Sequence, residues 1–157
     1  MSRRKKSIKR GILPDARYDS QTVSKFINAI MYEGKKSTAE RIFYSAMDLV
    51  EQRTSQSGVT VFKQALTNLK PAVEVKSRRV GGANYQIPFP IQGHRQQHYA
   101  FMWLVQSARA RSGMPYNERL AGEIVDAFNE TGAAFKKKED THRMAEANRA
   151  FAHFARG

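Results

Sequence analysis

One stretch, Val73 to Pro90, limits what this chain can become. Its halves, Val73-Glu74-Val75-Lys76-Ser77-Arg78-Arg79-Val80 and Ala83-Asn84-Tyr85-Gln86-Ile87-Pro88-Phe89-Pro90, are rich in β-branched and aromatic residues and flank Gly81-Gly82. That composition around a glycine pair predicts a β-hairpin. A loop of odd length, Gly81 to Ala83, sets Val75 opposite Phe89, Ser77 opposite Ile87 and Arg79 opposite Tyr85. Val73, Val75, Ile87 and Phe89 then share one face, and Glu74, Lys76, Arg78 and Gln86 the other. A two-residue loop would set Val75 against Pro88 and mix the two sets, so the odd loop is expected. Such strands reach about 26 Å at roughly 3.3 Å per residue, and a lone ribbon is marginal in water. Pro88 and Pro90 remove ladder donors and discourage a third strand. The hairpin could lie flat on a helical core. Arg78 and Arg79 beside the tip, with no acid among the ten residues that follow, favour a protruding basic arm.

Everything else reads as helix. Val23, Phe26, Ile27, Ile30 and Met31 form a core-facing stripe after a cap at Asp19 or Ser20, and Gly34 stops it. Ser37-Thr38-Ala39-Glu40 has the form of a capping box opening a second helix, which buries Ala39, Ile42, Phe43, Ala46, Leu49 and Val50. After a loop from Thr54 to Gly58, a third helix carries Phe62, Ala65, Leu66 and Leu69 and ends before Pro71. A fourth, from about Gly93 to Ala110, turns Ala100, Phe101, Leu104, Val105 and Ala108 inward, with Trp103 at its edge. Pro115 suits the first turn of a fifth, which buries Leu120 and Ile124 and stops near Gly132. A last helix contains Met144, Ala147, Phe151 and Phe154. The expected fold is mainly α, a bundle of six helices with one protruding β-hairpin between helices three and four. Residues 13–157 make a single helical domain with the arm at about 72–91, and residues 1–12 a disordered basic N-terminal arm.

Lys and Arg number 27 against 14 acids, a formal charge of +13. That excess says little about fold but attracts polyanions, and phosphate contacts by Lys and Arg release counterions. Arg3, Arg4, Lys5, Lys6, Lys9 and Arg10 crowd the first ten residues without one acid, a density that resists burial and favours a nucleic acid over mere solubility. With no cysteine there are no disulfides and no thiolate metal sites. The longest apolar run, Ala100 to Val105, is far too short to span a membrane, and the N-terminus lacks the apolar segment of a signal peptide. We therefore expect a soluble intracellular protein with an acidic partner.

Catalytic and cofactor patterns fail on spacing. Gly34-Lys35-Lys36-Ser37 imitates part of a phosphate-binding loop, but position 29 is Ala, so the pattern is absent. His94 and His98 are spaced as zinc ligands can be, yet Arg95 stands where a zinc protease has its glutamate. Asp140 and His142 have no serine in an elbow motif to complete a triad. The expectation is no enzyme, no cofactor, no metal and no small-molecule substrate.

The basic clusters carry more. Lys35 and Lys36 sit between two helices, where the second helix's N-terminus also attracts anions. Arg109 and Arg111 close the fourth helix, where cations complement the dipole without any ligand. Lys136, Lys137 and Lys138 stand near the start of the last helix, against the dipole, which suggests an external anion. Tyr85, Tyr99, Trp103 and Tyr116 could stack on bases, although Trp103 suits the core better.

Lys76-Ser77-Arg78-Arg79-Val80-Gly81-Gly82-Ala83-Asn84-Tyr85-Gln86-Ile87-Pro88 resembles the hairpin signature of the small-subunit ribosomal protein seven family, bacterial type. Met31-Tyr32-Glu33-Gly34-Lys35-Lys36-Ser37 and the run from Lys136 to Phe154 resemble it too, so the likeness extends from about Leu13 to Phe154. Family members usually carry Arg where this chain has Met102, and more cations around Gln96 and Gln97, which leaves Arg95. The resemblance implies a primary rRNA-binding protein of the 3′ major domain that starts assembly of the subunit head. Its neighbours would be exit-site tRNA, mRNA and other small-subunit proteins. It implies rRNA contacts by the N-terminal cations and by Lys35, Lys36, Lys76, Arg78, Arg79, Arg95, Arg109, Arg111, Lys136, Lys137 and Lys138. Arg78, Arg79, Gly81, Gly82, Ala83 and Arg143 would lie near tRNA or mRNA. The location would be cytoplasmic, in the small ribosomal subunit of a bacterium, or in an organelle's ribosome. A DNA-compacting or regulatory protein is the alternative, and an RNA-processing enzyme the more distant one.

Overall fold

The computed structural model describes residues 11–156, so the N-terminal cations from Arg3 to Arg10 lie outside the described residues. Six α-helices and one two-stranded ribbon follow in the expected order: α1 Gln21–Ile30, α2 Lys36–Thr54, α3 Gly58–Leu69, β1 Val73–Val80, β2 Ala83–Pro90, α4 His94–Ala110, α5 Tyr116–Phe128 and α6 Gly132–Ala147. A 3₁₀ segment, Arg149–Arg156, closes the described chain.

The stripes find one another. Phe26 of α1, Phe43 of α2 and Phe62 of α3 are all fully buried. Their ring centroids lie 4.8 to 5.8 Å apart, and Phe101 of α4 joins at 5.1 Å from Phe26. Edge-to-face and tilted contacts at that range suit the ring quadrupole. Helix α5 contacts α2, α3 and α4, burying Leu120, Ala121, Ile124 and Ala127. Small residues are required where backbones meet. A Cβ on Gly58 would stand 2.5 Å from the Met47 carbonyl oxygen, so only glycine can open α3 against α2.

Several local expectations are corrected. Helix α2 starts at Lys36 with Lys35 as its N-cap and no side-chain cap, so Ser37 is already inside the helix and the capping box does not form. Met47 belongs to the buried face, whereas Ile42 and Leu49 are only half buried. The glycine expected to end α5 instead opens α6. A Cβ on Gly132 would meet Asp126 Cβ at 2.8 Å, and its φ of +87° is one that glycine tolerates. The last helix breaks at Asn148, whose side-chain amide donates to the Met144 carbonyl at 2.8 Å, a local bond that competes with helix continuation.

The final segment is not core. Met144 is 51% exposed and Ala147 is exposed, leaving Ala145 as the buried residue of that turn. In a 3₁₀ helix side chains three apart eclipse, so Phe151 and Phe154 rise together, and both rings lie against Tyr85, at 5.2 and 5.1 Å. The segment packs on the hairpin.

The hairpin register differs from the one expected. Val80 pairs with Ala83 and Val75 with Pro88, across a two-residue loop. Both loop residues have positive φ, +58° at Gly81 and +89° at Gly82, the combination whose twist matches that of the flanking strands. Paired residues share a face, so Glu74, Lys76 and Arg78 stand with Phe89, Ile87 and Tyr85. Turn geometry decided the register over the sorting of apolar faces.

Candidate nucleic-acid interface

Glu74 explains why the register can place a carboxylate inward. It is 3% exposed, beside the fully buried Ile87. Its Oε2 accepts from Arg95 Nε at 2.7 Å and from the Tyr99 hydroxyl at 2.7 Å, and Lys76 Nζ lies 2.8 Å from Oε1. Arg95 and Tyr99 come from the first turns of α4, so this cluster ties the base of the arm to the bundle. Burial pushes the carboxylate up, but the bonds from Arg95, Lys76 and Tyr99 outweigh it and bring the group down to about 2. The folded form therefore holds its proton less readily than the unfolded chain. The stabilisation is complete above pH 4.5 and is lost as pH falls toward 2. It is at most about 3 kcal/mol, and with both cations half exposed to solvent nearer about 1–2 kcal/mol. Denaturation of the wild type and Glu74→Gln across that range should show their stabilities converging; a constant gap would contradict this account.

The same cluster occupies two expected RNA contacts. Arg95 and Lys76 both serve Glu74 within the protein. Arg111 is engaged more deeply: it bonds Glu123 at 2.7 and 2.8 Å and also Asp126. Glu123 is fully buried, and its other oxygen accepts the amide of Ala134 at 2.8 Å, in the first turn of α6. One carboxylate thus joins the end of α4, the middle of α5 and the start of α6. Asp126 and Glu123 lie three apart on α5, which was a readable signal for a helix face, but the sequence did not say that Arg111 would meet it.

The remaining cations divide between partnered and unpartnered. Arg78 donates to the Phe154 carbonyl at 2.9 Å, Arg109 to the Ile30 carbonyl at 3.2 Å and Lys138 to the Asn68 carbonyl at 2.7 Å. Lys137 reaches Gln106 at 3.2 Å. Lys35, Lys36 and Arg143 make exposed ion pairs with Glu33, Glu40 and Asp140, pairs that contribute little and can exchange for an incoming phosphate. Arg79 and Lys136 are exposed and have no side-chain partner among the described residues. Because α6 begins at Gly132, the three lysines stand in its second turn, clear of the dipole's end. Gly81, Gly82 and Ala83 form the exposed tip of the arm.

Lys25, Arg41, Arg53, Lys63 and Lys70 stand outside the clusters expected from sequence and are also exposed. Lys63 and Lys70 line a small hollow with Thr22 and Gln97 beside the start of α4. Their signal was present, since Lys63 and Lys70 flank the buried Phe62, Leu66 and Leu69 stripe on the solvent side. A second gathering lies at the other end of α4, where Lys35 and Arg109 border an apolar groove between α1, α2 and α5. No group of three or more His, Asp or Glu side chains among the described residues could hold a metal ion. None of the described helices is long and apolar enough to cross a membrane.

A helical core, one ribbon arm and a cationic surface left largely unneutralised define a basic helical protein with two appendages beyond its core, the arm and the segment leaning on it. The chain belongs to the family described as ribosomal protein S7p/S5e, which matches residues 2–149. It is 64% identical over 154 residues to the small ribosomal subunit protein uS7 of Gemmatimonas aurantiaca, covering 98% of this chain and 99% of that protein. The proteins of the same name from Methylorubrum populi and Thermomicrobium roseum are each 56% identical, with the same coverage.

Proposed function

We propose that this chain is a structural constituent of the small ribosomal subunit that binds rRNA of the 3′ major domain directly and starts assembly of the head. The observation that carries the reading is the near-complete alignment with proteins named for that subunit, arm and helices included. The unneutralised cations supply the means. Arg78 and Arg79 at the arm, Lys136 on α6, the exchangeable Lys35, Lys36 and Arg143, and the N-terminal series from Arg3 to Arg10 form the phosphate-facing set. Arg95, Lys76 and Arg111 act chiefly in holding the surface that presents the others. The arm tip, Gly81 to Ala83 with Arg78 and Arg79, and Arg143 lie along the path of exit-site tRNA and mRNA, beside neighbouring subunit proteins. The role is binding and assembly, with no catalytic step. Bacterial relatives favour a place in cytoplasmic ribosomes.

Sedimentation of a lysate tests the reading directly. The chain should travel with the small subunit, and the purified chain should protect nucleotides of the 3′ major domain in isolated small-subunit rRNA. A chain that stays at the top of the gradient and protects nothing would end this proposal.

A further inference from the structure

The groove beside Arg109 has a composition that the core does not explain. It is an open space of about 380 Å³ between the end of α1 and the starts of α2 and α5, within the roughly 300–1,000 Å³ of ligand-sized pockets. Ile30, Met31, Ala39 and Ile42 give it apolar walls, Lys35 and Arg109 stand on its rim, and no acid lines it. Tyr32, 68% exposed, also borders it. Tyr116 lines it too, and its buried hydroxyl stands beside the Arg109 guanidinium without a hydrogen bond of ordinary geometry. The Arg119 guanidinium sits 5.5 Å from the ring centroid but donates to the carbonyls of Arg109 and Arg111. A buried, unsatisfied hydroxyl is a disadvantage to the free chain.

We propose that this groove receives one unpaired nucleobase of the bound RNA, its face on the apolar wall and Tyr32, its polar edge at the Tyr116 hydroxyl and its flanking phosphates at Lys35 and Arg109. The inference rests on the rRNA-binding reading above and adds a site to it. Charge decides the kind of occupant: Arg109, and Lys35 in an exposed pair with Glu33 that a phosphate can displace, suit a polyanion. Polarity decides the part that enters. A protein segment brings a row of backbone donors and acceptors that need partners, and the groove offers a single hydroxyl. A base brings one planar face and one polar edge, and stacking on an aromatic ring tolerates any base.

Two substitutions outside the phosphate-facing set test this in the full-length chain, with small-subunit rRNA transcribed in vitro as the probe. Thr38→Trp plugs the groove from an exposed position on its lip. Tyr116→Phe removes only the hydroxyl and should melt no lower than the wild type. Binding should fall about tenfold for Thr38→Trp, within the range for one lost stacking contact, and a few-fold for Tyr116→Phe. The slope of log affinity against log salt should stay unchanged for Tyr116→Phe, which leaves the phosphates in place, and should fall for Thr38→Trp by no more than the contacts of the displaced nucleotide at Lys35 and Arg109. If the wild type binds and both variants bind equally well, the groove proposal is overturned while the rRNA reading stands. If the plugged chain binds rRNA normally but fails to recruit a neighbouring protein into subunits, the occupant is a protein and the proposal is equally wrong. A wild type that does not bind rRNA removes both.

Discussion

Glu123→Ala should destabilise the fold by about 3–5 kcal/mol, the largest loss expected from any single side chain outside the aromatic core. The magnitude follows from what remains behind. Arg111 keeps its position at the end of α4 with only the half-exposed Asp126 for company, and removing one partner of a buried pair leaves an uncompensated charge. The Ala134 amide also loses its acceptor in the first turn of α6, where no side chain of α6's own supplies a cap. Double substitution separates the two costs. Replacing Glu123 and Arg111 together by apolar residues of similar volume should recover much of the loss, because no charge is then stranded. Chemical denaturation of the three variants measures this. A loss below about 1 kcal/mol for Glu123→Ala would mean that the α4–α5–α6 junction does not depend on its carboxylate.

The second large effect concerns binding. Arg78→Ala with Arg79→Ala should reduce the slope of log affinity for small-subunit rRNA against log salt by about 1.4 to 1.8, at about 0.7–0.9 per phosphate contact. Arginine suits the arm because its planar fork grips phosphate in two places or stacks on a base, which lysine does less well. The competing account makes both residues solvated edge charges that deter association of exposed strands. Under it the double variant binds RNA normally and aggregates sooner. The two residues also differ from each other. Arg78 holds the Phe154 carbonyl, so its loss loosens the 3₁₀ segment, whereas Arg79 has no partner among the described residues. Arg79→Ala alone should therefore take about half the slope change and leave the packing of Phe151 and Phe154 on Tyr85 intact.

The fold was legible where periodicity is local. The stripe from Ala100 to Ala108 gave α4 to within a residue, because amphipathic spacing is written within one helix. The one from Val23 to Met31 placed α1, although that helix ends at Ile30, short of the stop expected at Gly34. The arm was found from its β-branched strands and glycine pair. Its register was not, because a carboxylate such as Glu74 reads as solvent-facing when only its own strand is considered. Arg95 and Tyr99, the partners that allow it inside, lie more than twenty positions along the chain, and no pattern near Glu74 announces them. Arg111 failed to read for the same reason. A cation in the last turn of a helix looks like a dipole complement or a free contact until Glu123 and Asp126 arrive from another helix. Charges can be counted from sequence, but which of them are neutralised at home is a tertiary fact.

The 3₁₀ segment bears on how the arm moves. Its contacts with Tyr85 and Arg78 span 66 to 76 residues of sequence, yet once the bundle is folded the segment is tethered at Asn148 within a few residues of its docking place. Only that short tether has to close, and closing a loop of about ten residues takes tens of nanoseconds. Return of the segment after any release is then a fast local event that needs no helix unfolding. The bundle sets where the arm is rooted, and eight residues that the core does not require set how stiffly it stands.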